Sequence, residues 1–246
     1  SVSDSVSVTV GFLAGVNPTS PATVTPASPS SADTIAFTLQ NVGNGTDTAI
    51  VAIPAPGGGL TITGYVFNGT NYTSVANLNA ALATYTLASG ATAVIKVVYD
   101  VGNGAGGSTI PVSLTQTSKR SPTTSATATT NVQPPGTRAV AVTPKNATVT
   151  QLPSNGTPYT YTFTVANNGN SSDTYNLAAS IGGTPAGAVT IVSVNGVAGT
   201  TGTATIASGG STTITVGYTV AFGVAAGTSD KIVFTATSQA VGTVTD

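Results

Sequence analysis

Cysteine, methionine, tryptophan and histidine are absent from the 246 residues, and all seven acids are aspartate. Without His or Cys there is no Ser-His-Asp or Cys-His nucleophile. Without Cys there is also no disulfide framework from which a redox compartment could be read. Charged residues make up 5% of the chain, against roughly 25% in an average soluble domain. A net charge of -1 leaves no basic footprint for nucleic acid or an anionic membrane. No charge run forms a tail. Mean hydropathy is +0.28, yet no apolar run approaches the ~18 residues of a membrane helix. A carboxylate pair for glycoside hydrolysis needs two acids about 5–10 Å apart. Here Asp33, Asp47, Asp100, Asp173 and Asp230 fall singly in turns or at strand ends. The expectation is no enzyme, no catalytic residue, no cofactor and no metal.

What is present is Thr, Ala, Val, Ser and Gly, with Asn and Gly at turn positions. High hydropathy at low net charge opposes disorder, and β-branched residues between turn signals point to an all-β chain. A Ser/Thr-rich surface poor in Lys and without Glu points to an exported, extracellular or cell-surface protein.

The chain repeats itself. Phe37–Thr48 matches Phe163–Thr174, and Thr86–Gly90 matches Thr205–Gly209. Ile95, Val97 and Tyr99 match Ile214, Val216 and Tyr218, and Leu114–Ser118 matches Phe234–Ser238. The order is kept, so two copies of one domain are expected, residues 11–133 and 138–246, with 134–137 as a short, stiff Pro-Pro linker. Ile35, Phe37 and Leu39 alternate with polar neighbours, as do Tyr159, Tyr161, Phe163 and Val165. Several such strands per copy predict two tandem antiparallel β-sandwiches. The nearest helical stretch is 74–82, which Ser74 can cap, and copy two has no counterpart of it.

The Asn-x-Gly-Asn-x-x-Asp-Thr turn, followed by Ala-Ser-Gly before a Tyr-bearing strand, resembles the immunoglobulin-like "conserved repeat" and CARDB-like domains of prokaryotic surface proteins. The resemblance spans both copies. It implies an extracellular structural or adhesive module with no catalytic residues to carry over.

The ends differ from the middle. After Ser118, copy one runs through a turn into a last strand, residues 125–132, whereas copy two has only eight residues after Ser238. Copy two is therefore expected to lack its last strand, which would leave an unpaired sheet edge. At the other end, residues 1–10 are surplus. Arg138–Pro144 begins copy two, its counterpart is Phe12–Pro18, and Ser5–Val10 lines up with Ser125–Thr130. Val2, Val6, Val8, Val10 and Phe12 share one parity, and Asp4 alone breaks it. That period of two is a strand with one apolar face. Ten residues reach at most about 35 Å, and the vacancy belongs to the second domain, so an intermolecular partner is expected. Residues 1–10 would complete the second domain of a neighbouring subunit by β-strand addition, giving a head-to-tail homopolymer. The accepting strand would present Ile232, Phe234 and Ala236, and Asp4 would act as a register stop. The arrangement resembles chaperone–usher pilins and archaeal donor-strand filaments. The alternative is a spacer or stalk fragment of a surface adhesin or surface-layer protein, with a carbohydrate-binding accessory module third.

Smaller features carry less. Lys96 is expected to face outward, although a buried Lys could form an isopeptide crosslink. Asn44 and Asp47, with Asn170 and Asp173, read as Asx turns, since one carboxylate per loop is too little for Ca²⁺. Asn44, Asn68, Asn71, Asn146, Asn155 and Asn170 open glycosylation sequons, about the number chance supplies in so Ser/Thr-rich a chain.

Overall fold

The structure is a computed structural model. It describes residues 3–154, 156–183 and 186–246. The chain forms two compact units. The first comprises Ser1–Gly102 and Ser108–Pro135, the second Asn103–Gly107 and Gly136–Asp246. Both are immunoglobulin-like β-sandwiches.

The first unit contains, in order, β1 (Thr23–Val24), β2 (Ser30–Gln40), β3 (Ala49–Ala52), β4 (Leu60–Phe67), β5 (Thr70–Tyr72), α1 (Val75–Leu82), β6 (Thr92–Val101), β7 (Ile110–Ser118) and β8 (Ser125–Val132). One sheet has the order β2-β6-β4-β5, the other β1-β8-β7-β3. The pairings are antiparallel except for the two-residue β1, which runs parallel to β8. The alternation in β2 and β6 turns Ile35, Phe37, Leu39, Ile95 and Val97 inward, with no solvent exposure. Lys96 lies on the outer face of β6 and is exposed. Ser74 caps α1, its Oγ accepting the Asn77 N–H at 3.2 Å, and Leu78 and Leu82 bury the helix on the sandwich. From that helix Asn79 accepts the Val51 N–H at 2.8 Å and donates to the Val51 carbonyl at 2.9 Å. Its side-chain amide therefore occupies the edge of β3 that faces away from β7.

The second unit contains β9 (Val140–Thr143), β10 (Tyr159–Asn167), β11 (Asp173–Gly182), β12 (Val189–Val194), β13 (Val197–Ala198), β14 (Thr201–Ile206), β15 (Ser211–Val220) and β16 (Lys231–Ser238). One sheet has the order β13-β12-β15-β10-β9, the other β14-β11-β16. The β4–β5 and β12–β13 hairpins turn on Asn68-Gly69 and Asn195-Gly196, all four at positive φ, the pairing that a two-residue type I′ turn requires. Where the first unit places α1 beside β3, the second places β14 beside β11.

The ladders correct one alignment. Val16 bridges Asn41 as Val140 pairs with Asn167. The counterpart of Arg138 is therefore Ala14, and Phe12 lies two residues further upstream. Matching the prolines had set the frame two residues off, but pairing is decided by main-chain bonds, here Val42 N–H to Gly15 O and Asn168 N–H to Ala139 O.

On the outer faces, hydroxyls pair across strands: Ser113 with Thr129 at 2.8 Å, Thr115 with Thr127 at 2.7 Å, Thr174 with Thr205 at 2.8 Å and Thr237 with Thr245 at 3.1 Å.

Candidate functional site: an open strand position

Each unit is built round the same buried polar turn. Asn41 donates to Gly45 O and Leu87 O and accepts from Gly43 N–H, at 2.8–2.9 Å. Asn167 makes the matching bonds to Ser171 O, Ile206 O and Gly169 N–H, at 2.8–3.0 Å. A side-chain carbon on Gly43 would meet Leu13 O at 2.5 Å, and one on Gly169 would meet Thr137 O at 2.5 Å. That close approach is why the motif carries glycine there. Asp47 accepts from Ser118 Oγ, and Asp173 accepts from Ser238 Oγ. Buried polar groups of this kind are tolerated because every one is bonded. Asn41 and Asn167 open the Asn-x-Gly-Asn motif of each copy, ahead of the Asx-turn residues Asn44, Asp47, Asn170 and Asp173. Their signal was the motif's recurrence in both copies.

The two units part company at the next element. In the first, β8 runs along β7, pairing Ala128 with Leu114, Thr130 with Val112 and Val132 with Ile110. Beneath it Leu114 and Val112 are at most 1% exposed. In the second, β16 has β11 on one side. On the other it has only residues 244–246: Ser238 N–H donates to Val244 O, and Ala236 and Asp246 exchange both main-chain bonds. Beyond Ala236, toward Lys231, that edge of β16 has no paired strand among the described residues. The residues below it are correspondingly less covered. Ile232, counterpart of Val112, is half-buried. Tyr161 and Phe163, counterparts of the fully buried Ile35 and Phe37, are half-buried. Phe163 stacks on Phe234 with centroids 4.7 Å apart, and Ala236 is fully buried. Among the described residues no counterpart of β8 runs along β16 beyond 244–246, and Ile232, Tyr161 and Phe163 lie half-buried there.

Charge sits at both ends of this edge of β16. The Asp246 carboxylate accepts the Val142 N–H at 2.7 Å and pairs with the Lys145 ammonium. Both contacts hold its pKa below the ordinary aspartate value, the Lys145 hydrogen bond most strongly. Asp230 precedes β16 and accepts N–H bonds from Ala186, Ala188 and Val189 at 2.6–2.9 Å, which likewise lower its pKa. In the first unit, burial pushes the Tyr99 phenol up to about 12, with Asp33 adding to the shift.

At the N-terminal end, residues 3–11 pair with no strand among the described residues. Val2 lies outside the described residues. Val6, Val8 and Val10 are 87%, 86% and 83% exposed, and Asp4 only accepts the N–H of its neighbour Ser5. Alternation alone does not hold a strand together without an edge to pair with. Phe12 does not belong with these residues. The Arg120 guanidinium lies 3.6 Å from its ring centroid. The Asn44 side chain accepts from Leu13 N–H and donates to Gly11 O, both at 2.8 Å. The free segment thus ends at Val10, and Phe12 is part of the first unit.

Among the sequon asparagines, Asn68, Asn71 and Asn146 are exposed, and Asn155 lies outside the described residues. Asn44 is exposed, with its amide engaged as above. Asn170 is buried, its Oδ1 accepting the Thr137 N–H at 2.6 Å, so the fold leaves no room there for a sugar. No helix among the described residues is long and apolar enough to cross a membrane.

The class these features define is an all-β protein of two immunoglobulin-like sandwiches. No protein-family model matches the chain, and no curated protein matches its sequence. Three solved structures illustrate the likenesses found. The secreted serine protease VesC from Vibrio cholerae is 14% identical with a TM-score of 0.33, over 89% of this chain and 50% of that one. The E. coli chaperone DraB is 13% identical with a TM-score of 0.30, over 92% of each chain. BcpA, the major pilin subunit of Bacillus cereus, is 11% identical with a TM-score of 0.33, over 91% of this chain and 59% of that one. This chain thus spans half the length of the protease. Likenesses at these scores carry no argument, and the fold rests on the strand pairings above.

Proposed function

We propose that this chain is the structural subunit of an extracellular filament, in which the N-terminal segment of one copy fills the open strand position of the next. The observation that carries the reading is the mismatch between equivalent residues. Phe37 and Ile35 are sealed beneath a complete sandwich, while Phe163 and Tyr161 are half-buried beside the bare edge of β16. An open edge over an apolar groove is an unstable place to leave in water. The same chain carries three almost fully exposed valines at strand spacing, which is the side-chain set such a groove takes up. Main-chain bonds to β16 would supply pairing, and the valines would supply burial.

One observation favours a second reading, the spacer module. Residues 244–246 already run along β16, and further chain in the same direction would close the unit from within a longer surface protein.

The test is electron microscopy, with denaturing gels run with and without boiling, on the 246-residue chain and on Val6→Ser/Val8→Ser/Val10→Ser. Fibres from the first chain alone are the expected result. Equal fibres from both refute the donated strand, and stable monomers from both establish the spacer reading.

A further inference from the structure

We propose that the donated strand enters in a single register, Val6 opposite Phe234 and Val8 opposite Ile232. In this register Asp4 takes over the rung and the partners of Asp246. The inference rests on the filament reading and adds the atoms that set the joint.

The first unit supplies the template, with Ala128, Thr130 and Val132 of β8 opposite Leu114, Val112 and Ile110. The second-unit counterparts of those three are Phe234, Ile232 and Asp230. Thr245 already stands opposite Thr237 and Asp246 opposite Ala236, so the first vacant rung is the one opposite Thr235. Slipping by one residue turns Ser5, Ser7 and Thr9 into the groove instead of the valines. Slipping by two in one direction sets Val6 on the rung of Asp246 and needs Phe12 opposite Asp230. Phe12 is held under Arg120, and Asn44 clamps both Gly11 and Leu13. Slipping by two in the other direction lays the Asp4 carboxylate against the stacked Phe163–Phe234 pair, where a charge is strongly disfavoured.

In the one register left, Asp4 meets Ala236. At that rung an aspartate carboxylate already accepts the Val142 N–H and pairs with Lys145. Asp4 has the same side chain at the same rung. Its arrival releases Asp246 and restores both contacts, while Ala236 exchanges one main-chain partner for another. The one residue that breaks the apolar pattern thus becomes the residue that fixes the register.

The chain has no cysteine, so introduced pairs report only the joint. Thr235 faces outward between the rungs of Phe234 and Ala236. It opposes Ser5 in the proposed register, Ser7 in the first two-residue slip and Ser3 in the second. Each of Ser3→Cys, Ser5→Cys and Ser7→Cys is combined with Thr235→Cys, and the assembled chains are oxidised and run on non-reducing gels. A reductant-sensitive ladder from the Ser5 pair alone is expected. A ladder from the Ser7 or Ser3 pair overturns the register and leaves the filament reading standing. No ladder from any pair overturns the donated strand itself. For the carboxylate, Asp4→Lys is expected to slow assembly by about tenfold, and adding Lys145→Asp to restore it. Failure of the restoration removes Asp4 from that rung.

Discussion

Val8 offers a direct separation of joint from monomer. It is 86% exposed in the single chain, so Val8→Ala should leave the melting of the isolated subunit within about 0.5 kcal/mol of the parent. In the groove, Val8 would stand where Thr130 stands in the first unit, at no exposure. Alanine there removes two buried carbons at about 0.8 kcal/mol each, or about 1.6 kcal/mol per joint. By the tenfold-per-1.4 kcal/mol relation, that is roughly a fifteenfold rise in the critical concentration for assembly. Sedimentation of fibres across a concentration series measures it, alongside thermal melts of dilute subunit. Unchanged critical concentration would refute the reasoning. So would a lowered monomer melting temperature, because it would show that Val8 is already buried within its own chain.

Three further outcomes follow from the buried and edge contacts. Asn167→Ala leaves Ser171 O, Ile206 O and Gly169 N–H without their partner and should destabilise the second unit by about 2–4 kcal/mol, read as an earlier unfolding step in urea. Asn79→Ala uncovers the Val51 N–H and carbonyl on the edge of β3, and size-exclusion chromatography should show new self-association that does not require residues 1–10. Acid should weaken the second unit in a defined window. Asp230 and Asp246 have folded pKa values below 3.8, so their stabilisation is fully present above the unfolded value. It is lost as pH falls below about 4 through the folded values. Asp230→Asn should flatten that loss in melts taken from pH 5 to pH 2, and an unchanged profile would exclude Asp230 as its source.

The fold was legible where side chains alternate. Ile35, Phe37 and Leu39, and their counterparts on β10, announce strands because burial on one face selects them, and Ser74 announces the start of α1. The different flanking of β7 and β16 was legible too, as a difference between two copies of one pattern. What stayed hidden depends on reach across the fold. Asn79 is an ordinary helix residue until the helix lies against β3. Asn41 and Asn167 look like turn residues until the carbonyls they bond close over them. The pairing of Phe12 with Arg120, more than 100 residues apart in the chain, parts Phe12 from the exposed Val6, Val8 and Val10, with which alternation alone groups it. Asn170 has a sequon's spelling, and only its burial removes it.

The paired hydroxyls on the outer strand faces have a consequence for the surroundings this molecule tolerates. Ions in solution weaken attractions between exposed charges and leave a bond between two neutral hydroxyls almost untouched. A coat stitched from threonine and serine therefore offers brine little to screen and a swing in acidity little to titrate. Its hold across strands should be much the same in fresh water as in strong salt.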